Sequence, residues 1–418
     1  MSRYFDALET RDPAQREREL MARLPQQVAH AKSNSAYFAK ALERIDPATI
    51  GTRTALARLP VLRKHTLIDL QKQYKPFGGL TTTSLAAPFA GLGRVFSSPG
   101  PIYDPEGRAA DWWRFARSLY AAGFRAGDLV HNTFSYHFTP AGFMLEGAAQ
   151  KIGCCVFPAG IGQTEMQVAA IADLRPAAYV GTPSFLKIIL DKADELHAEI
   201  SSLKRAVVSG EALFPAQKAM FDASGIACFQ AYGTADLGLI AYETEAHEGL
   251  LLEEELILEI VRPGTGDTVA TGEVGEVVIT SFNPDYPLIR FATGDLSAVL
   301  PGISPCGRTN TRIKGWLGRA DQTTKVKGMF VHPEQVAVVV KRHAGILKAR
   351  LVITNPDTSD SMTLRCEVAK TDAESQEMAA AIAASIRDVT KLRGEVELLA
   401  PGTLPNDGKV IEDARKYD

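Results

Sequence analysis

Four short segments carry residue types that could handle a phosphorylated nucleotide. The first, Ala231-Tyr232-Gly233-Thr234-Ala235-Asp236-Leu237-Gly238, follows an apolar run that reads as a strand. Ligands of open α/β sheets sit at the carboxyl ends of strands. A tyrosine there can stack on a base, and an acidic residue can hold Mg²⁺. A glycine turn beside a core tyrosine accounts for the same octapeptide. The second segment, YPLIRFATGD, brings Asp295 out of a strand through a Thr-Gly turn, placed to accept both hydroxyls of a ribose. A Gly-Asp pair equally suits a type I or II turn. The third, Gly318-Arg319-Ala320-Asp321, is followed by TKVKGMFVHP. Lys325 and Lys327 alternate as on a solvated strand face, and Arg319 suits a surface ion pair of little worth. The fourth, LPNDGK, ends on Lys409. A lysine on a tight loop can neutralise charge developing on a transferring phosphorus.

These segments need elements to hold them. A chain of 418 residues is too long for one ordinary core, so at least two domains are expected. Leu20, Leu24, Val28 and Ala31 recur at helical spacing within 11–45, and a second helix is expected at about 106–122. DLVHNTF, GCCVFP, AAYVGTP, RAVVSG and IACFQAYG then read as buried strands with helical stretches between them. That alternation predicts a parallel, doubly wound sheet. From about 255 the pattern changes to β-rich hairpins. After about 320 come helix 333–342, strands 348–354 and 362–368, helix 372–391 and strand 395–399, a compact α+β unit.

Composition narrows the class. Apolar residues make up 45% and charged residues 23%, with a net charge of −3, which offers neither a nucleic-acid stripe nor a basic membrane face. The N-terminus lacks an apolar signal region and no run reaches spanning length. Five unpaired-looking cysteines fit a reducing, cytoplasmic setting.

The ordered set YFDALETR, LPVLRKHTL, KPFGGL, SGEALF, AYGTADLG, PLIRFATGD, CGRT, GRADQTTKVKG and PNDGK resembles the phenylacetate–CoA ligase family of adenylate-forming acyl-CoA synthetases, over nearly the whole chain. The resemblance implies a large N-terminal domain, 1–318, with doubly wound sheets and a β-rich subdomain, and a small mobile α+β C-terminal domain, 319–418. It implies an acid joined to ATP with release of pyrophosphate, then attack by coenzyme A on the acyl-adenylate after the C-terminal domain rotates. Carried over, Gly210, Glu211 and Ala212 line the adenine face, Gln230 faces the adenine amino group, and Tyr232 stacks on the ring beside Gly233 and Thr234. Asp236 stands where the family has its Mg²⁺-linked glutamate; Asp295 takes the ribose, with Arg319 nearby. Asp321 is the hinge, Lys327 and Gly328 lie on the CoA side, and Lys409 is the adenylation lysine. A homodimer is compatible with the resemblance.

The chain also departs from the family. Its phosphate loop normally resembles SSGTTGKP, whereas the matching stretch here is FSSPGPIYDP. Ser97, Ser98 and Gly100 remain as phosphate contacts, but the lysine is gone and Pro99 and Pro101 each remove an N–H donor. Asp104 adds a negative charge near where the triphosphate would lie. Ala235 replaces the hydroxyl usually found before the acidic residue. Of the zinc ligands of some relatives only His247 and Cys306 could be remnants, so no structural metal is expected. Tyr136, His137, Phe138 and Gly160 should line the acid pocket, where the aromatics suit a flat apolar acid, although aromatics at strand ends are also common core. The leading expectation is an aryl or arylacetic acid–CoA ligase using ATP, Mg²⁺ and coenzyme A. The alternatives are a non-catalytic nucleotide or acyl-CoA binding protein on the same fold, or an adenylating enzyme with a different acceptor.

Overall fold

The computed structural model describes residues 2–98, 101–320, 322, 324–326, 329–355, 360–369 and 375–415. The chain forms two compact units. One comprises Met1–Leu258, Ile279–Phe291 and Leu300–Trp316; the other comprises Glu259–Val278, Ala292–Val299 and Leu317–Asp418.

The first unit is built on a nine-stranded sheet. Its parallel half runs, in spatial order, Cys155–Pro158, Leu129–Asn132, Ala178–Gly181, Arg205–Val208 and Ala227–Thr234. These strands are short apolar runs because helices cover both faces of such a sheet. Between them lie helices Ala141–Ile152, Thr164–Leu174, Pro183–Glu195 and Pro215–Ala223. Thr182 caps the third by accepting from the Phe185 amide, and Pro183 takes its first turn. Val168, Ile171, Leu186 and Ile189 of these helices pack with Tyr179, Ala206, Val208 and Cys228 of the strands. After Thr234 the chain reverses, and Gly238–Tyr242, Leu250–Leu252 and Arg312–Ile313 extend the sheet antiparallel. The parallel half therefore ends on the strand that carries Tyr232.

Two N-terminal expectations are modified. The predicted helix at 11–45 is two helices, Pro13–Asn34 and Ala36–Ala41, because Ser35 leaves helical geometry and caps the second by accepting from the Phe38 amide. The predicted helix at 106–122 survives only as Ala116–Ala121. Asp111 (φ 53°) and Arg114 (φ 65°) are left-handed and interrupt it. Ahead of the expected helix lies a hairpin, Arg94–Ser98 with Ile102–Glu106.

In the second unit, strands Glu395–Leu399, Ser361–Val368, Ile346–Thr354 and Ile411–Asp413 form one sheet in that order. Helices Pro333–Lys341 and Ser375–Thr390 complete this α+β body. Val336, Val339, Leu351, Ile353, Leu364, Ile382, Ile386 and Ile411 are its core. No helix among the described residues is long and apolar enough to cross a membrane.

Candidate active site

The first unit gathers its chemistry around the turn at 234–238. The turn is tight: the Thr234 hydroxyl accepts from the Leu237 amide at 3.1 Å, and the Trp113 indole donates to the Ala235 carbonyl at 3.2 Å. Gly238 has φ 73°, and a Cβ there would come within 2.5 Å of the Trp113 carbonyl oxygen. Only glycine permits both the conformation and the approach. This turn drives Asp236 inward to 3% exposure. Its Oδ2 accepts from the Lys64 ammonium at 2.7 Å. Lys64 follows the short strand Leu62–Arg63 within the LPVLRKHTL motif, where its side chain keeps 24% exposure.

The stretch expected to be the phosphate loop forms a hairpin, Arg94–Ser98 with Ile102–Glu106. Ser97 pairs with Tyr103 and Ser98 with Ile102, so both serines are strand residues; Gly100 lies outside the described residues. The Ser97 amide donates to the Phe138 carbonyl at 2.8 Å, and Gln71 bonds both the amide and the carbonyl of Tyr103 at 2.8 Å. Strand alternation exposes Tyr103 and buries Asp104 completely. Asp104 is thus an interior group and not a solvent-facing charge on a loop. Burial first, and then the negative charge of Asp236, push its carboxyl up to about 8, against the pull of Ser98 and the Lys64 ammonium. Among the described residues neither oxygen of Asp104 has a hydrogen-bond partner of normal geometry. Tyr286 is also fully buried; burial, Asp236 and Asp104 hold its hydroxyl protonated well above the usual tyrosine range.

The expected adenine residues follow two neighbouring strands. Gly210, with φ 81°, lies just beyond Arg205–Val208, and the Glu211 carboxylate accepts from the Ser184 amide at 3.3 Å. Ala212 precedes helix Pro215–Ala223. The Gln230 amide donates to Glu243 at 2.9 Å, and Tyr232 and Gly233 continue the strand. A Cβ on Gly233 would meet the Phe115 ring at 2.7 Å and the Gly238 carbonyl at 2.6 Å.

The expected acid-pocket residues divide. Tyr136 accepts from the Asn132 amide nitrogen at 2.9 Å and packs edge-on against Phe143. His137 and Phe138 are exposed, Phe138 by 80% with φ 54°. Gly160 has φ 68°, donates its amide to the Asn132 carbonyl at 3.0 Å, and accepts from Gln167 at 2.9 Å. Asn132 therefore joins Tyr136 and Gly160 at the end of one strand.

The second unit holds its own cluster. Asp295, 7% exposed, accepts from the Arg319 guanidinium at 2.9 Å, and the two residues also bridge through their backbones. Gly294 has φ 77°; a Cβ there would meet Arg319 Nη2 at 2.7 Å. Lys409 is exposed on a loop tied down on both sides. Gln322 bonds the Gly408 carbonyl and the Val410 and Ile411 amides, Arg350 pairs with Asp407, and Asn406 accepts from the Val274 amide. The expected hinge Asp321 and the CoA-side Lys327 and Gly328 lie outside the described residues.

Two motifs with no assigned chemistry prove structural. YFDALETR meets CGRT where buried Glu9 accepts from Arg308 at 3.0 Å and the Thr309 amide donates to the Glu9 carbonyl at 3.0 Å. His247 stacks on Phe229 and pairs with Glu243 at 2.9 Å. Burial pushes the Cys306 thiol up, but hydrogen bonds with Ser304, Thr244 and Arg308 outweigh it and leave it lowered. Among the described residues no group of three or more His, Cys, Asp or Glu could hold a metal ion.

Comparison with known proteins decides what these clusters belong to. Residues 110–283 match the AMP-binding enzyme family and residues 328–415 the C-terminal domain of AMP-binding enzymes. The phenylacetate–coenzyme A ligase of Thermus thermophilus is 30% identical over 94% of this chain and 95% of its own length. That of Aromatoleum evansii is 30% identical over 83% of this chain and 80% of its own. The chain belongs to the phenylacetate–CoA ligase family. It is thus an AMP-forming acid–CoA ligase. Among solved structures, 2-hydroxyisobutyryl-CoA ligase in its postadenylation state superposes with a TM-score of 0.73 at 25% identity, covering 99% of this chain and 92% of that one. The same ligase with an acyl-AMP and coenzyme A in its thioesterification state gives 0.71 at 25% identity, covering 99% and 93%.

Sequence reasoning passed over Lys64, Tyr286 and Trp113. Lys64 and Tyr286 stand inside quoted motifs, but only the fold brings Lys64 onto Asp236 and buries Tyr286.

Proposed function

We propose that this ligase activates a small aromatic or arylacetic acid with ATP and Mg²⁺ and transfers the acyl group to coenzyme A. The observation that supports the reading is Asp236: a buried carboxylate at the end of the strand bearing Tyr232, with one oxygen on Lys64 and the other without a partner among the described residues. That oxygen suits a hard cation. The metal, when bound, screens the two anions that meet when a carboxylate attacks the α-phosphorus. In this reading Tyr232, Gly233, Thr234, Gln230 and 210–212 hold the base, and Asp295 with Arg319 holds the ribose. Ser97 and Ser98 contact phosphate, while Tyr136 and Gly160 border the acid. Residues 319–418 act as the mobile domain, which presents Lys409 for adenylation and the 327–328 stretch for thioester formation.

The decisive experiment measures pyrophosphate release over a panel of carboxylic acids, with and without coenzyme A. Arylacetic and benzoic acids should release it, and acyl-CoA should appear when the thiol is supplied. Release without any acyl-CoA would point to another acceptor. No release with any acid would leave a nucleotide-binding protein and sink the proposal.

A further inference from the structure

Packing does not set the place of the loop 159–163. A Cβ on Gly160 or Gly162 would meet no heavy atom within 4 Å, and Ile161 between them is 66% exposed. Hydrogen bonds hold the loop instead. The Gly160 amide donates to the Asn132 carbonyl at 3.0 Å. A single nitrogen, Nε2 of Gln167, donates to the Gly160 carbonyl at 2.9 Å and to the Gly162 carbonyl at 2.7 Å. Gln167 belongs to helix Thr164–Leu174 and is only 3% exposed. With both amide protons engaged, only its Oε1 is left, and that oxygen lies 2.9 Å from Nε2 of the buried His131. An amide oxygen cannot donate, so His131 carries a proton on Nε2. Burial holds the ring below the ordinary histidine range, against the bond from Gln167, and so keeps it neutral. The ring also stacks on Phe157. His131 thereby fixes which way the Gln167 amide faces: turned over, it would set N–H against N–H and oxygen against two carbonyls. The neighbouring Asn132 points to the other face of the strand. Its Nδ2 donates to the Tyr136 hydroxyl at 2.9 Å and to the Gly142 carbonyl at 2.8 Å, while Oδ1 accepts from the Phe134 amide at 3.1 Å. Two adjacent residues at the end of Leu129–Asn132 thus hold the Tyr136 segment and the glycine loop.

We propose that Gln167, oriented by His131, is a specificity-determining positioning residue: it fixes where the 160–162 backbone stands and so the breadth of the acid that the site admits. The proposal rests on the acid-activation reading above, in which Gly160 borders the acid, and adds two residues that act through the loop. Gly160 and Gly162 bring no side chain, so the loop can discriminate only by the position of its backbone. That position has no packed neighbour to restore it once the two carbonyl bonds are lost. A flat aromatic acid then fits while the clamp holds, and a broader one fits when it is released.

Steady-state pyrophosphate release by Gln167→Leu, which fills the space without donating, tests this with phenylacetate and the broader 2-naphthylacetate. The KM for phenylacetate should rise about tenfold, and the preference for phenylacetate over 2-naphthylacetate should fall by about the same factor. The KM for ATP should not move. A variant that merely loosened the fold would disturb both Michaelis constants and leave the ranking of acids alone. His131→Phe keeps the ring stack but loses the donor, and should shift the ranking in the same direction. His131→Gln, whose amide can still donate, should keep the wild-type ranking. A second measurement needs no variant. In crystals of the wild-type chain with the acid bound, the 160–162 backbone should touch the ring of the acid while Gln167 keeps both carbonyls, and a ring bound away from this loop overturns the proposal. Pyrophosphate release by the wild type separates the clamp from the reading it rests on. Release by the wild type, with unchanged KM and ranking in folded Gln167→Leu, overturns the clamp alone. A wild-type chain that releases pyrophosphate with no acid overturns the reading, and the role of Gln167 falls with it.

Discussion

Lys64 and Asp236 are 172 positions apart in sequence, yet the ammonium lies 2.7 Å from the carboxylate, whose side chain has no exposure. Removing one partner of such a pair strands the other charge in the interior. Asp236→Asn and Lys64→Met should therefore each lower stability, and the double variant should lose less than the sum. The partial exposure of Lys64 moderates the effect, so a coupling energy of about 1–3 kcal/mol is expected from a double-mutant cycle in denaturant. Additive losses would mean that the contact contributes nothing to the fold.

Asp295 and Arg319 make a different kind of pair, because Arg319 is half exposed. Little stability is expected from it. In the ribose reading proposed above, its value lies in aiming the carboxylate. Asp295→Ala should weaken ATP binding by about 2–4 kcal/mol, the loss of charge-assisted hydrogen bonds to two hydroxyls, and leave the melting temperature nearly unchanged. Arg319→Ala should weaken binding less. Calorimetry on the folded variants checks both, and an unaltered affinity in Asp295→Ala would remove the ribose assignment.

The strands were legible because both faces of a parallel sheet are buried, so AYVG and RAVV read as unbroken apolar runs. The strand Glu395–Leu399 falls where the sequence pattern puts it. The region 106–122 was not legible. Its apolar residues have helical spacing, but the left-handed residues Asp111 and Arg114 and the packing of Trp112 against Trp113 override the local preference. The charge of Asp104 was visible; its burial depended on hairpin register, which a chain with Pro99 and Pro101 does not advertise. The Lys64 contact was hidden for a simpler reason. No local pattern reports a side chain meeting another so far along the chain.

Asp111 supplies a pH prediction. Burial is the main cause that pushes its carboxyl up to about 7, outweighing hydrogen bonds from the Ala116 and Phe115 amides. In the folded chain the group holds its proton at pH values where the unfolded chain has released it. Stability from this residue is thus complete below the unfolded value, near 4, and declines as the pH rises toward about 7. Asparagine tolerates the left-handed backbone at this position and can still accept from the Ala116 amide. Asp111→Asn should accordingly be near neutral in weak acid and stabilising by about 1–3 kcal/mol in mild alkali. Thermal melts of both proteins across this range test it, and parallel curves would refute it.

Lys409, proposed above for adenylation, offers a way to separate the two half-reactions. Its backbone is fixed independently of its side chain, through Gln322 on Gly408, Val410 and Ile411 and through Arg350 on Asp407. Gly408 itself is required, since its φ is 71° and a Cβ would meet Val274 at 2.7 Å. Truncating the exposed lysine should therefore leave the loop and the fold intact, so any defect reports on chemistry. Lysine charge opposite the phosphorus matters while negative charge builds during adenylation. It has no such task when a thiol attacks a preformed acyl-adenylate. Lys409→Ala should lower the rate of acyl-adenylate formation by at least about a hundredfold, while thioester formation from supplied acyl-adenylate stays within a few fold of the wild type. Single-turnover measurements of each half-reaction provide the check. Equal losses in both would assign Lys409 to binding or folding, and no loss in either would leave the adenylation cation to be sought among the residues around Asp236.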